Sequence, residues 1–194
     1  MIIISIVSID KRDFLPSKTL YLLRAGFKGR TIKADEYMID LANKIYLEAI
    51  KLVDSKVLLR TYGIHDVSPL NLPESFSRCL EVTLFVSTLG KRIDDKINEY
   101  SNNGKTLQAT LLDAWGSESV ESINERVDER IREKMRRESP TKKGTRRFSP
   151  GYGSVSILEN IKILKKLGCD FVDAKENSGV LIPVKSTTCM IGWC

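Results

Sequence analysis

The stretch KTLQATLLDAWGSESVESINERVDERIREKMRR, residues 105–137, decides the fold that we predict for this chain of 194 residues. Apolar side chains recur in it at steps of three to five positions, mostly four, which is close to the period of one face of an α-helix. They are Leu107, Leu111, Trp115, Val120, Ile123, Val127, Ile131 and Met135. A stripe of this length is typical of core packing, with a site for a partner helix as the alternative. We therefore predict an unbroken helix from about Lys105 to Arg137, with Trp115 mostly buried.

One part of this helix, DAWGSESVE at residues 113–121, is rich in small side chains. A glycine inside a helix costs about 1 kcal/mol relative to alanine. Gly116 therefore indicates that another part of the molecule approaches the helix backbone closely at this point.

Strand and helix patterns alternate on both sides of the long helix. Short runs of apolar, β-branched and aromatic residues predict strands, at residues 1–9, 55–64, 81–90, 171–174, 178–184 and 186–193. Apolar residues at helical spacing predict further helices, in residues 18–29, 33–54, 91–100 and 156–167. Ser156 and Glu159 have the spacing of a capping box at the start of the last helix.

The order of these elements predicts the fold class. Strands lie at the start, the middle and the end of the chain, and no βαβ unit repeats, which favours an α+β fold with a twisted mixed or antiparallel sheet. The length fits one domain, residues 1–194, better than two. The apolar start MIIISIVSI is too short to span a bilayer and follows no basic segment of a secretory signal. We expect it to be a buried strand in a cytoplasmic protein.

Residues that could bind a metal or act as a nucleophile are few. His65 is the only histidine, and the cysteines form no C-x-x-C pair; they are Cys79, Cys169, Cys189 and Cys194. The ligand spacing of a zinc site is missing, so we predict no metal site. A catalytic His65 is less well supported than a histidine in a loop or at a strand end. We also expect free thiols and no structural disulfide, since Cys189 and Cys194 could bridge only if the chain curled back.

The net charge of +6 is concentrated in residues 130–147. This segment holds nine basic residues against Glu133 and Glu138, which gives +7 and leaves −1 for the rest of the chain. Such a segment is typical of a solvated helix end, a surface for an acidic partner or a nucleic-acid site. A base-stacking surface would also need aromatic residues among the charges, and none occurs before Phe148. We interpret the segment first as a solvated helix end, with nucleic acid as an unlikely partner.

The segment RRFSPGYG, residues 146–153, follows this basic stretch. Pro150-Gly151 is typical of a type II turn, in which glycine takes the positive φ of the second corner. The turn would present Arg147 on one side and Tyr152 on the other. A guanidinium suits a carboxylate, and a ring suits a flat or cationic group, so a small zwitterionic ligand would match. The alternative is a purely structural turn with Tyr152 in the core.

Four segments, in this order, resemble the reactivation domain of cobalamin-dependent methionine synthase. They are LEVTLFVSTLG at 80–90, LLDAWGSESVE at 111–121, RFSPGYG at 147–153 and LIPVKSTTCMIGW at 181–193. The similarity covers most of the chain, and LLRAGFKG at 22–29 is similar to the opening of free-standing, single-domain members. The Arg-x-x-Pro-Gly-Tyr core is the most specific of these motifs.

The resemblance implies a protein that binds S-adenosylmethionine and supports reductive methylation of the cobalamin carried by a methionine synthase lacking this domain. Flavodoxin or a similar reductant would supply the electron. The methyltransferase activity would belong to the assembly, since no catalytic residues of the chain itself are evident. By resemblance, Arg147 would bind the ligand's carboxylate, while Pro150, Gly151 and Tyr152 would contact its adenine or sulfonium. Glu121 is a secondary candidate for contact with the ammonium.

The chain also departs from the family's pattern. The fused enzymes carry an acidic residue shortly before the arginine, but here the approach is SPTKKGTRR, residues 139–147. That contact is therefore absent or displaced to Glu138. Two other interpretations stay open: a related domain that serves another corrinoid methyltransferase, and a basic module that binds a partner or nucleic acid.

Overall fold

A four-stranded antiparallel sheet forms the centre of the computed structural model, which describes residues 5–7, 9–27 and 36–194. The strands are β1 (Ser5–Val7), β2 (Lys56–Gly63), β3 (Glu81–Thr88), β4 (Asp173–Ala174), β5 (Leu181–Ile182) and β6 (Ser186–Trp193). The helices are α1 (Lys11–Phe14), α2 (Lys18–Arg24), α3 (Glu36–Leu52), α4 (Lys91–Asn102), α5 (Thr106–Glu138) and α6 (Glu159–Leu167). Two short 3-10 helices, Ile64–Val67 and Glu74–Phe76, lie between β2 and β3.

The strand order in the main sheet is β1-β2-β3-β6, and all neighbours are antiparallel. β3 is almost wholly buried because β2 and β6 flank it along its full length and both of its faces are covered. The short strands β4 and β5 form a separate antiparallel pair. Gly179, in the predicted NSG turn, has a φ of +69°. The α+β prediction is confirmed, with an antiparallel sheet.

Helices cover both faces of the sheet, so alternate residues of a strand enter different apolar clusters. Phe85 of β3 belongs to the cluster formed with α3, α4 and α5. Its neighbours Leu84 and Val86 belong to the cluster formed with α6 and the β4–β5 pair.

The longest helix, α5, is continuous and confirms the prediction made from the apolar stripe. Trp115 is fully buried in the cluster between α5 and α3, with its ring edge-on to Tyr46 at a centroid distance of 5.9 Å. The stripe is therefore core packing rather than a site for a partner helix.

Several predicted boundaries fall partly outside the described residues. Only residues 5–7 and 9 of the predicted first strand are described, and the predicted helix at 18–29 ends at Arg24, followed by Gly26 with a φ of +95°. In the predicted helix at 33–54, residues 33–35 are outside the described ranges, and α3 begins at Glu36.

The predicted capping box at the start of α6 is wrong. The Ser156 hydroxyl accepts a hydrogen bond from the Leu158 N–H at 3.2 Å, in a turn that precedes the helix. The buried Glu159 carboxylate instead accepts from the Asn71 N–H at 3.1 Å and pairs with Lys162. The Glu159 carboxylate therefore connects α6 to the loop before β3, and it does not form the local cap at the helix start.

The prediction of no structural disulfide is also wrong, because Cys79 and Cys194 are joined. Strand register explains the pairing: Glu81 lies opposite Trp193 in the β3–β6 pair, so the residues just outside that pair meet. Cys189 lies within β6 as a free thiol and does not bridge to Cys194.

Within the described ranges, no helix is both long enough and apolar enough to cross a bilayer.

Candidate functional site

The segment that carries Arg147 runs beside β6. Backbone hydrogen bonds join Lys143 to Cys194, Thr145 to Gly192 and Phe148 to Met190. The Arg132 guanidinium, from α5, also donates to the carbonyl oxygens of Gly144 and Thr145, at 3.4 and 2.6 Å. Residues 143–148 are therefore fixed between α5 and the sheet, and this fixes the backbone from which the Arg147 side chain projects.

The Pro150-Gly151 turn has the predicted conformation, with a φ of +94° at Gly151. The Gly151 N–H donates to the Val155 carbonyl at 2.9 Å, so this amide is used inside the loop. Tyr152 is 71% exposed, which rules out the interpretation that places its ring in the core. The turn thus holds an aromatic ring out toward solvent beside Arg147.

A cavity of about 430 Å³ opens next to this turn, within the size range of small-molecule sites. Its lining comes from five parts of the fold: residues 147–150 with Tyr152, Glu121 of α5, Asn160 of α6, Leu181 of β5, and residues 186–188 of β6. One cationic, one anionic and two aromatic side chains therefore line a single opening, the aromatic ones being Phe148 and Tyr152.

Arg147 and Glu121 form an ion pair within this cavity. The second nitrogen of the guanidinium, Nη1, is buried and has no hydrogen-bond partner among the described residues. The other Glu121 oxygen lies 3.4 Å from the Asn124 amide, whose carbonyl oxygen accepts from the Ser87 hydroxyl at 2.6 Å. A buried donor without an acceptor is unfavourable, so a carboxylate that reached Nη1 would be bound favourably.

Hydroxyl and amide groups form another wall of the cavity. The Thr188 hydroxyl donates to the Asn160 side-chain carbonyl at 2.6 Å, and the Asn160 amide donates to the Gly179 carbonyl at 2.8 Å. These bonds hold β6, α6 and the β4–β5 turn in one arrangement. The wall presents polar groups in fixed positions, which is what recognition of a polar ligand needs.

The start of β6 is anchored to α5 by Lys185. This side chain is 8% exposed, and its ammonium donates to Asp113 at 2.7 Å and to Ser117 at 3.0 Å. Its aliphatic stem lies against Gly116, where an added Cβ would be 3.1 Å from three stem carbons. The close approach predicted at Gly116 is therefore made by Lys185, the residue directly before the cavity wall at 186–188.

Cys189 lies beneath the site and is fully buried. Burial raises the pKa of its thiol to about 12, although the Arg147 charge acts in the opposite direction. A thiol that stays protonated at neutral pH is a poor nucleophile. His65 is exposed in the 3-10 helix after β2 and does not line the cavity. Within the described ranges, no three His, Cys, Asp or Glu side chains are grouped to hold a metal ion.

The basic segment 130–147 is largely neutralised by carboxylates. Five of its nine cations form ion pairs, which join Arg130 to Asp13, Arg132 to Asp128, Lys134 to Glu138, Lys142 to Glu81 and Arg147 to Glu121. More than half of the positive charges in this segment are thus paired with carboxylates of the same chain.

Four of the predicted site residues line one cavity, namely Glu121, Arg147, Pro150 and Tyr152. Gly151 does not line it and serves the turn. Glu138 does not line it either and pairs with Lys134, so the suggested displacement of an acidic contact to Glu138 is wrong. Sequence reasoning missed Asn160 and the hydroxyl run at 186–188, for which the only signal was polar residues at the start of an otherwise apolar strand.

Comparisons with known proteins bear on the fold. No protein-family model matches the chain. No curated protein is significantly similar to it. Among solved structures, the MetH reactivation domain bound to AdoHcy matches with a TM-score of 0.67 and 14% sequence identity, over 99% of this chain and 78% of that one. The chain therefore has the fold of a methionine synthase reactivation domain.

Proposed function

We propose that this protein binds S-adenosylmethionine in the cavity beside Arg147 and acts as a reactivation domain for a cobalamin-carrying methionine synthase. The observation that carries the proposal is the Arg147 guanidinium, which keeps a buried Nη1 without an acceptor among the described residues. The fold likeness to a domain bound to AdoHcy supports the ligand class, since AdoHcy is S-adenosylmethionine without its methyl group.

The charges at the cavity suit the amino-acid end of such a ligand. Its carboxylate would bind Arg147 through Nη1, and its ammonium would lie near the Glu121 carboxylate, which is already held on the same guanidinium. Tyr152 and Pro150 would border the nucleoside or sulfonium. The chain's contribution is then to bind and orient the ligand with fixed charges, rather than to exchange protons with it.

Exposed apolar side chains beside the cavity support a partner that covers it. They lie in the segments at 152–158 and 180–184, and are Tyr152, Ile157, Leu158, Val180, Ile182 and Val184. Exposed apolar patches are typical of interaction sites. In the proposed assembly the partner's cobalamin supplies the cobalt that accepts the methyl group, and flavodoxin or a similar protein supplies the electron.

Isothermal titration of the protein with S-adenosylmethionine and S-adenosylhomocysteine tests the proposal. A charge-assisted contact contributes about 1.5 to 3 kcal/mol, so Arg147→Ala should weaken binding about tenfold to a hundredfold. Tyr152→Ala should also weaken binding, without loss of thermal stability, because the ring is exposed.

Arg146→Ala is the matched control. Arg146 lies next to Arg147 in the chain but does not line the ligand cavity, so this variant should change affinity less than about threefold. Absence of binding by the wild-type protein at millimolar ligand, with a cobalamin-loaded partner present, would refute the proposal. Equal losses in the two arginine variants would refute the assignment of the carboxylate to Arg147.

A further inference from the structure

Three cations, two from β2 and one from the end of α6, lie around two aromatic rings on the α6 face of the sheet. The Arg60 guanidinium and the Lys166 ammonium lie 5.0 and 5.2 Å from the centroid of the Tyr62 ring. The Lys56 ammonium lies 5.7 Å from the centroid of the Phe171 ring. These distances are those of cation–π interactions. We refer to Lys56, Arg60 and Lys166 as the ring-bound cations.

The fold fixes the backbone of this group. Lys56, Arg60 and Tyr62 are on β2 at even spacing, so they share one face of the sheet. The Tyr62 hydroxyl donates to the Lys166 carbonyl at 2.7 Å, which ties β2 to the end of α6. Four residues of strand separate Lys56 from Arg60, so the group spans about 13 Å.

Within the described part of the chain, the ring-bound cations have no carboxylate partner. None of them takes part in an ion pair among the described residues. Arg60 also keeps a buried Nε with no hydrogen-bond partner there. Arg60 and Lys166 approach the same ring, which puts their charges within about 10 Å, a distance at which salt only partly screens their repulsion. Anionic groups placed against this surface would relieve that repulsion.

We propose that the ring-bound cations form a docking site for an acidic protein surface. The rings hold the cations in place before binding, which reduces the ordering cost of association. A nucleic acid fits less well because Arg60 and Lys166 lie over the ring of Tyr62, which is 6% exposed, and base stacking needs an open ring face. This site is independent of the ligand cavity at Arg147.

Binding of fluorescent poly-L-glutamate, measured over a range of salt concentrations, tests this site with two triple variants that each remove three positive charges. The patch variant is Lys56→Gln, Arg60→Gln and Lys166→Gln. The control variant is Arg136→Gln, Arg137→Gln and Lys143→Gln, which removes cations of the basic segment that have no ion pair among the described residues. The patch variant should bind about tenfold more weakly than wild type and show a smaller salt dependence, and the control should change by less than about threefold.

Equal weakening in both variants would overturn the proposal, since net charge alone would then explain binding. Tighter wild-type binding to single-stranded DNA than to poly-L-glutamate, lost in the patch variant, would also overturn it in favour of nucleic acid. If the patch variant does not fold, the double variant Lys56→Gln with Lys166→Gln keeps the half-buried Arg60 and should still lose about fourfold. Calorimetry with S-adenosylmethionine should be unchanged in the patch variant, which separates this test from that of the proposed function.

Discussion

Gly116→Ala is the most informative single substitution, because two opposing effects meet at this position. Alanine in a helix interior is favoured over glycine by about 1 kcal/mol. The new Cβ would however lie 3.1 Å from three carbons of the Lys185 stem, several tenths of an ångström closer than ordinary contact. Overpacking of this kind typically costs about 1 to 3 kcal/mol.

The Lys185 stem has little freedom to move away. Its ammonium is bound to Asp113 and Ser117, and its carbonyl accepts from the Leu89 N–H at 3.0 Å. We therefore expect overpacking to win and Gly116→Ala to destabilise the protein by about 1 kcal/mol, which lowers Tm by about 2 to 4 °C for a chain of this size.

A double-mutant cycle with Lys185→Ala, followed by urea denaturation, isolates the contact. Once the stem is removed, the added methyl has room, so Gly116→Ala should stabilise the Lys185→Ala protein by about 1 kcal/mol. The sign of the effect thus reverses between the two backgrounds. Stabilisation of the wild-type protein by Gly116→Ala would refute the reasoning, since it would mean that the stem does not occupy the space above the glycine.

Other consequences of the structure can be measured on the same material. Asn124→Ala removes the buried acceptor of the Ser87 hydroxyl and should cost about 1 to 3 kcal/mol in urea denaturation; a change below about 0.5 kcal/mol would contradict the buried network. The pKa of the Cys189 thiol is raised by burial in the folded protein. The buried thiol therefore contributes to the free energy of unfolding below about pH 9, and this contribution is lost as pH rises toward 12. Relative to Cys189→Ala, wild type should therefore lose about 1 to 2 kcal/mol between pH 8 and 10.5. Iodoacetamide at pH 8 should leave Cys189 unmodified in the folded protein, and a peptide map without reductant should contain Cys79 linked to Cys194; alkylation of either linked residue would contradict the disulfide.

Local patterns predicted most of the elements because each depends on neighbouring residues. The stripe in α5 gave the long helix, and the runs at 55–64 and 81–90 gave two adjacent strands. Gly116 predicted a close approach but not the approaching residue. Which residue makes this approach depends on where β6 begins relative to α5. That position is set by the tertiary structure and not by the local sequence.

Pairings between distant segments could not be predicted from spacing. The Cys79–Cys194 disulfide depends on the β3–β6 register, which a sequence pattern does not specify. Arg147 and Tyr152 were predicted to share a site because a short turn joins them. The ion pair of Arg147 with Glu121 forms because α5 passes beside the turn. The predicted capping box of α6 is likewise absent because Glu159 contacts the distant Asn71 instead.

The strand-like segment at 143–148 also protects the sheet from self-association. β6 is the last strand in the order β1-β2-β3-β6, and an uncovered edge strand can recruit another chain through its free N–H and C=O groups. Here residues 143–148 bond to that edge at several points. Substitutions that loosen this segment should therefore promote aggregation as well as displace Arg147, so solubility and ligand affinity are expected to fall together.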